Sequence, residues 1–383
     1  MQRILSGTYI YLEIASSLKG RIEQGDFHNG RLPSERDLTA EFGVQRATIR
    51  RALKTLEEQG LVFRDATRGT FARPGSTPPR TEHGGLALVI GRAHDTTAPA
   101  DIARGLAAAA REAERFLLWV DTPSAPGHAE AQVPDPRELM GRGVAATVLW
   151  PEIPAPVARL RALRDAMPLV LLDRRVPGFE SDFVGIDDFA AGKQITRHLL
   201  SAGHRRIGFA SVAPHVGTVQ ERYRGYAAAL REAGLSPRSD WALHREGDLS
   251  GRDDSAIQAM LAGGGEPPTA LVGANDSVAA ALYCTLRRLG RRVPDDVALT
   301  GFGNSMPTLL DALGLTTVAQ PFAEMGRAAG EMAQERLRRR GGTGEAPHSF
   351  QEALLPIEIV VRSSCGGSPA VSAAATTSPT PNE

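Results

Sequence analysis

Three stretches decide the fold of the N-terminal region: RLPSERDL at residues 31–38, GVQRATIRR at residues 43–51 and RGTF at residues 68–71. Ser34 can cap a short helix, and Asp37 stands three residues later in the place of a capping-box acid. Gly43 suits the turn that ends this helix, because glycine adopts positive φ at little cost. The pattern predicts a helix-turn-helix, and two short strands that follow would form a wing around residues 65–69.

The second helix of this pair, expected from about residue 45 to residue 59, combines an apolar stripe with a basic face. The stripe is Ile49, Leu53 and Leu56. Arg46, Arg50 and Lys54 recur every four residues on another face, and residues 45–54 contain no acid. A row of charges is most often only a solvated face, but the second helix of a helix-turn-helix enters the major groove of DNA. Arginine can grip guanine there, and glutamine can grip adenine.

These residues resemble the DNA-binding domain of the GntR family over about residues 8–73. The resemblance implies a winged helix-turn-helix that contacts double-stranded DNA, and the wing tip adds a cation beside a glycine. The candidate DNA-binding residues are Arg36, Gln45, Arg46, Thr48, Arg50, Arg68 and Gly69. Gln45 departs from the Ser or Thr that the family usually has, so the base preference at that position stays open.

Composition narrows the class of protein. The 383 residues suggest two or three domains, and 44 basic residues balance 44 acidic ones. Cys284 and Cys365 lie far apart without metal-ligand spacing, which favours reduced thiols and no metal site. The first residues lack the apolar core of a signal peptide, and no run approaches the roughly 18 apolar residues of a membrane span. We therefore expect a cytoplasmic protein.

Beyond a Pro/Gly/Ser/Thr-rich linker at residues 74–85, short apolar runs alternate with Ala-rich amphipathic segments. This alternation predicts an α/β fold with parallel sheets, and roughly 275 residues suggest two lobes rather than one. Ligands of such sheets bind outside the carboxyl ends of the strands. Residues 363–383 are Ser/Thr/Ala/Pro/Gly-rich and are expected to be a disordered tail.

A second resemblance covers about residues 85–364, where the motifs are similar to the effector domain of the LacI/GalR family. They include GIDD at residues 185–188, GHRRI at residues 203–207, AND at residues 274–276 and VPDDV at residues 293–297. The resemblance implies a periplasmic-binding-protein-like effector domain at residues 86–362, with a small molecule between its lobes. The expected lobes are residues 86–186 plus 319–345, and residues 187–318 plus 346–362. A GntR-type domain followed by this domain resembles the arabinose-repressor class of hybrid regulators.

The LacI/GalR resemblance also implies which side chains bind the effector. The candidate ligand-binding residues are Asp173, Arg174, Arg222, Asn275 and Gln320. Each has a plainer alternative. Asp173 could cap a strand-end loop, Arg222 could form a surface salt bridge, and Asn275 could cap a helix. Gln320 could serve only the crossover between the lobes.

Two positions depart from the pattern of sugar-binding relatives. Gly303 stands where an Asp often accepts from sugar hydroxyls, and Leu249 stands where an aromatic ring often packs a sugar. Together they weaken the case for a simple pyranose without excluding it. Asn304, Trp150 and Phe302 are the candidates to compensate.

The expected function is a ligand-responsive transcriptional regulator, in the family-typical case a repressor released by its effector. It would bind a palindromic operator as a homodimer and respond to a sugar or sugar derivative, with no membrane partner. An enzyme is the first alternative, but Lys193 is the one lysine beyond residue 73 that could carry a pyridoxal cofactor, and it lies in a different motif. No catalytic residues and no cofactor are predicted. A transport binding protein is the second alternative. The effector, the operator, the sign of regulation and the choice of dimer or tetramer stay open.

Overall fold

The computed structural model describes residues 10–24, 26–27, 31–58, 61–65, 69–72, 84–91, 96–122, 132–246, 255–262, 266–341 and 349–366. The predicted linker, apart from its last two residues, lies outside this part of the chain. Two units follow in sequence. After their predicted roles, we call residues 1–73 the DNA-binding domain and residues 84–366 the effector domain.

The DNA-binding domain has three helices and a two-stranded wing within its described residues. Its elements are α1 Ile10–Gln24, α2 Glu35–Phe42, α3 Arg46–Glu58, β1 Val62–Asp65 and β2 Gly69–Ala72. The antiparallel pairing of β1 with β2 confirms the predicted wing strands. The core is formed by apolar side chains one helical turn apart, which include Ile14, Leu18, Ile49, Leu53 and Leu56.

The turn between α2 and α3 follows the predicted local chemistry. The Ser34 side chain caps α2 by accepting from the backbone N–H of Asp37 at 3.2 Å. Gly43 ends the helix at φ +64°, where a side chain would be strained, and its N–H donates to the Thr39 carbonyl. These two residues fix where α2 begins and where it ends, and the turn at Gly43 leads directly into α3.

The effector domain alternates strands and helices as expected. Its elements are β3 Gly85–Gly91, α4 Ala98–Glu112, β4 Leu117–Thr122, α5 Pro136–Gly141, β5 Val144–Trp150, α6 Val157–Ala166, β6 Leu169–Leu172, β7 Asp182–Ile186, α7 Asp188–Ser201, β8 Ile207–Val212, α8 Gly217–Glu232, β9 Ala242–Arg245, α9 Ser255–Ala262, β10 Ala270–Gly273, α10 Asp276–Arg288, β11 Ala298–Gly303, α11 Pro307–Leu313, β12 Thr316–Ala319, α12 Phe322–Gly341, β13 Glu352–Leu355 and β14 Glu358–Val360. The short helices α5, α6, α9 and α11 were not predicted, because few residues carry their periodicity.

Two six-stranded sheets form the cores of two lobes. The first sheet is entirely parallel in the order β13-β7-β6-β5-β3-β4. The second has the order β14-β12-β11-β10-β8-β9, and β14 alone runs antiparallel to its neighbour. The predicted fold class, a winged helix-turn-helix plus a two-lobed α/β domain with parallel sheets, is therefore confirmed.

Close helix packing holds the first lobe to the returning chain. Helix α12 lies against α4, and two glycines at this contact lack room for a side chain. A Cβ on Gly105 would stand 1.7 Å from the Ala323 carbonyl oxygen, and one on Gly326 would stand 2.1 Å from that of Ile102. The strand orders of the two sheets show that the chain crosses between the lobes three times: after β7, after β12 and after β13.

Two expected boundaries were wrong. Residues 352–355 were assigned to the second lobe with the rest of 346–362, but β13 pairs in parallel with β7 in the first lobe. Residues 363–366 were expected to begin the disordered tail, yet Ser364 and Cys365 are buried against the second lobe. The Ser364 hydroxyl donates to the Leu299 carbonyl and accepts from the Thr316 N–H. Residues 367–383 lie outside the described part of the chain.

Within the described residues, we find no helix that combines the length and the apolar character needed to cross a membrane.

Candidate functional site

A cavity of about 340 Å³ opens between the two lobes at the carboxyl ends of their strands. All five predicted ligand residues line it: Asp173, Arg174, Arg222, Asn275 and Gln320. They come from different elements of both lobes and of the crossover. Their convergence makes this cleft the candidate effector site.

Asp173 belongs to the first lobe's side of the cavity. It follows β6 at φ +65°, an uncommon conformation for a residue other than glycine, and it is 6% exposed. Its carboxylate accepts from the Trp150 indole N–H at 3.1 Å and from the Gln320 side-chain amide at 2.9 Å. A loop-capping role alone would not aim both carboxylate oxygens at these two side chains, so Gln320 is tied to the first lobe through Asp173.

Arg222 on α8 is buried, so the alternative of a surface salt bridge was wrong. Its Nε donates to Asp188 at 2.8 Å, and its Nη1 donates to the Ala274 carbonyl at 2.9 Å. The guanidinium carbon lies 3.7 Å from the centre of the Phe302 ring. Burial raises the pKa of the Asp188 carboxyl to about 7, although the positive charge of Arg222 opposes that rise.

Asn275 caps a helix, as the sequence allowed, and it also lies in the wall of the cavity. Its Oδ1 caps α10 by accepting from the Val278 N–H at 2.8 Å, and the residue lines the cavity. The neighbouring Asp276 also lines the cavity and was not among the predicted site residues. It accepts from Thr317 Oγ1 at 2.6 Å and from the Ser305 N–H at 2.7 Å. Burial raises the pKa of the Asp276 carboxyl despite these bonds.

Arg174 lies beside Asp173 at the rim of the same cavity. Its Nε is 3.8 Å from Asp173 Oδ2 and is buried, and it has no hydrogen-bond partner among the described residues. The guanidinium carbon lies 5.7 Å from the Trp150 ring centre. Arg174 therefore keeps a donor that an acceptor on a ligand could satisfy.

Three side chains were candidates to compensate for the departures from the sugar-binding pattern, and the structure places only two of them in the cavity wall. Trp150 and Phe302 line the cavity, whereas Asn304 accepts at 3.3 Å from Arg362 and is not part of the lining. Gly303 has φ +127°, and a Cβ there would lie 3.1 Å from Asp276 Oδ2. An Asp at this position would thus be strained and would face another carboxylate. Leu249 lies outside the described residues.

The candidate DNA-binding residues that the structure describes are exposed, apart from the half-buried Thr48. Arg36, Arg46 and Arg50 have side chains that are 93%, 65% and 59% exposed. Gln45 is exposed at the start of α3, and its carbonyl accepts from the Thr48 N–H at 2.9 Å. Gly69 is exposed at φ +106°. Arg68 lies outside the described residues.

Sequence reasoning did not anticipate Glu35, whose carboxylate binds two arginines of the basic face. Its carboxylate accepts from Arg46 Nε at 2.8 Å and from Arg50 Nε at 3.0 Å. Burial raises the pKa of the Glu35 carboxyl, but these hydrogen bonds outweigh it and leave the pKa below its ordinary value. The acid lies in the first turn of α2, eleven positions before Arg46, so the periodicity of α3 gave no sign of it.

Several side chains that could serve catalysis or metal binding contact other residues of the protein instead. Lys193 Nζ forms an ion pair with Glu232 at 2.5 Å between α7 and α8. His204 Nδ1 lies 3.1 Å from Thr269 Oγ1. Cys284 is exposed, whereas Cys365 is buried and contacts His198 Nε2 at 3.3 Å. In the described ranges, no group of His, Cys, Asp or Glu side chains is arranged to hold a metal ion.

A basic helix-turn-helix with a wing, followed by a two-lobed domain with a polar cleft, defines a class of DNA-binding proteins that sense small molecules. Family models agree with this division. Residues 10–72 match the bacterial regulatory proteins of the gntR family, and residues 196–365 match the periplasmic binding protein-like domain.

Curated relatives match over both domains. The HTH-type transcriptional regulator MalR of Streptomyces coelicolor is 30% identical over 348 residues, which cover 87% of this chain and 96% of that protein. The arabinose metabolism transcriptional repressor of Geobacillus stearothermophilus is 25% identical over 363 residues, or 92% of this chain and 97% of that protein. A crystal structure of a LacI family transcriptional regulator from Mycobacterium smegmatis is 25% identical, with a TM-score of 0.61 over 73% of this chain and 98% of that one. The chain belongs to the LacI/GalR-type transcriptional regulators and carries a GntR-type DNA-binding domain.

Proposed function

We propose that the protein is a ligand-responsive repressor, acting in the cytoplasm, whose affinity for a palindromic operator changes when a sugar or sugar derivative binds between the lobes. The observation that carries this proposal is the convergence of Asp173, Arg174, Arg222, Asn275 and Gln320 on one cavity. Two of these are arginines, and the others offer a carboxylate and two amides. Such a set can both donate to and accept from the hydroxyls of one small molecule.

The charges around the cavity support a polyhydroxylated effector over a strongly charged one. Arg222 is paired with Asp188, and Arg174 lies near Asp173, so each cation already has a carboxylate close by. A ligand with a large net charge would leave one partner of these pairs uncompensated in a buried site. Trp150 and Phe302 add aromatic surface on which an apolar ring face can pack.

The effector would act by shifting the balance between two arrangements of the lobes. Several bonds now join the lobes at the cleft. Thr97 N–H donates to the Ser305 carbonyl at 2.7 Å, and His215 Nε2 lies 3.2 Å from the Ile153 carbonyl oxygen. A ligand changes such a balance only by binding one arrangement more tightly than the other. In a homodimer, a change in lobe arrangement would alter the spacing of the two DNA-binding domains.

A thermal-shift screen of neutral sugars, sugar acids and sugar phosphates against the purified full chain tests the effector class. A binder stabilises the folded protein by mass action. We expect a neutral carbohydrate to raise the melting temperature and to change operator affinity in fluorescence anisotropy. Stabilisation by sugar phosphates alone, or by no carbohydrate, would contradict the proposed effector class.

Operator binding is tested with duplexes selected from a random-sequence pool. The proposal predicts that two copies of the chain bind one selected duplex and that the selected sequence is palindromic. Analytical ultracentrifugation of the complex gives the stoichiometry. A one-to-one complex on a non-palindromic site would exclude the dimeric arrangement.

A further inference from the structure

Glu35 of α2 connects three elements of the DNA-binding domain: α2, α3 and the wing strand β1. It is the first residue of α2, directly after the Ser34 cap, and its side chain is 18% exposed. Arg46 and Arg50 of α3 both donate through Nε to Glu35 Oε2. Arg64 of the wing strand β1 brings Nη1 to within 3.6 Å of Oε1. One carboxylate thus joins three guanidinium groups from two elements.

These contacts restrain the arginines without covering them. Arg46 and Arg50 stay more than half exposed while their Nε atoms are engaged. The terminal nitrogens of each guanidinium can therefore still donate to an acceptor on a DNA molecule that approaches α3. A side chain that is already oriented loses less conformational freedom when it binds a base.

The same carboxylate lowers the positive charge that the face offers to any DNA. Non-specific affinity comes from cations that neutralise phosphates, whatever the sequence. An arginine that already has a carboxylate partner gains less from a phosphate than an unpaired one. Base recognition depends instead on orientation, which the carboxylate supplies.

We propose that Glu35 is a positioning residue for operator recognition that also competes with DNA phosphates for Arg46 and Arg50, and so raises the preference for operator over random DNA. This inference rests on the proposed operator-binding function. It assigns a specificity role to an acid within a basic DNA-binding face.

The test is Glu35→Gln in the full chain, measured by fluorescence anisotropy against a selected operator and a random-sequence duplex over a series of salt concentrations. We expect affinity for random DNA to rise and the operator-to-random ratio to fall by about tenfold, of the order of one well-oriented base contact. The slope of log K against log salt on random DNA should steepen by about 0.9, because one more phosphate is neutralised. Glu35→Ala should change all three quantities in the same direction.

A matched control is Glu41→Gln, also on α2. Its carboxylate accepts from Arg21 at 2.6 Å, and neither residue belongs to the candidate DNA-binding set. This variant should leave the ratio and the salt slope unchanged. Circular dichroism and thermal melting establish that each variant is folded.

A purely structural role for Glu35 would lower operator and random affinity together, and that result would overturn the inference. An unchanged ratio and slope in Glu35→Gln would overturn it as well, while the operator preference of the wild-type chain would still support the proposed function. A wild-type chain without any operator preference would overturn both.

Discussion

The DNA-binding face and the effector cleft differ in how their residues are brought together. The candidate DNA contacts lie within residues 36–69, and the arginines among them that the structure describes are largely exposed. The cleft joins Asp173 to Gln320 across 147 positions of the chain, and Asp173 and Arg222 are each 6% exposed. Exposed residues add affinity with little effect on folding. Buried polar residues also contribute to the stability of the fold, so we expect their substitution to cost both stability and function.

Arg222→Ala should show the contrast between the buried cleft and the exposed DNA-binding face most clearly. It leaves the Asp188 carboxylate buried without its partner, and we expect a loss of about 3–5 kcal/mol in the free energy of unfolding of the effector domain. Chemical denaturation of the full chain measures this. The matched control is Arg224→Ala, two residues along the same helix, because its ion pair with Glu221 is exposed and should cost less than about 1 kcal/mol. Equal losses in the two variants would contradict the assigned burial.

Asp188→Asn should change how the stability of the effector domain depends on pH. The folded-state pKa of about 7 lies above the ordinary value for Asp, so the folded protein holds this proton more tightly than the unfolded chain does. The stabilisation from Asp188 is complete below about pH 4 and is lost as the pH rises to 7. The wild-type free energy of unfolding should thus fall over this range by more than that of Asp188→Asn, with a difference on the order of a few kcal/mol. Denaturation curves at several pH values measure both slopes. Parallel curves would show that the carboxyl ionises alike in both states.

Arg46→Ala should show the opposite behaviour at the exposed site. If Arg46 reads a base, the preference for operator over random DNA should fall by about 1–3 kcal/mol, while the free energy of unfolding should change by less than about 0.5 kcal/mol. Anisotropy titrations and denaturation of the same sample separate the two effects. A loss of stability comparable to that of Arg222→Ala would remove the contrast between the regions.

Ser34→Ala should give the smallest effect and tests the local hydrogen bond that begins α2. Loss of the cap on α2 should cost about 1 kcal/mol of stability in the DNA-binding domain. Ser17→Ala, at an exposed position within α1, is the control and should be close to neutral. Local hydrogen exchange of the α2 amides reports the change. Equal protection in both variants would mean that Ser34 contributes no cap.

Features that depend on near neighbours could be predicted from the sequence. The cap at Ser34, the turn at Gly43 and the buried stripe of Ile49, Leu53 and Leu56 all follow from residues within about four positions of each other. The alternation of apolar runs and amphipathic segments predicted the α/β class of the effector domain for the same reason. Short helices such as α11 were missed because one or two turns carry too little periodicity.

Features that depend on distant partners could not be predicted. Strand β13 joins the first lobe because its partner is β7, far from it in the chain, and no local pattern identifies that partner. Ser364 is buried because Leu299 and Thr316 take its hydroxyl as a hydrogen-bond partner, although its surroundings in sequence are typical of a tail.

By itself, the sequence determined the longer helices, the wing, the class of the effector domain and the residue types offered to each site, because helix and strand periodicity and capping act over a few positions. Only the tertiary structure decided which charges meet. It pairs Arg222 with Asp188, binds Gln320 to Asp173 and joins Glu35 to Arg46 and Arg50. Whether an ionised side chain is paired depends on the distance to its partner and on the burial of that partner. Folding alone sets these two quantities, because the partner can lie at any separation along the chain.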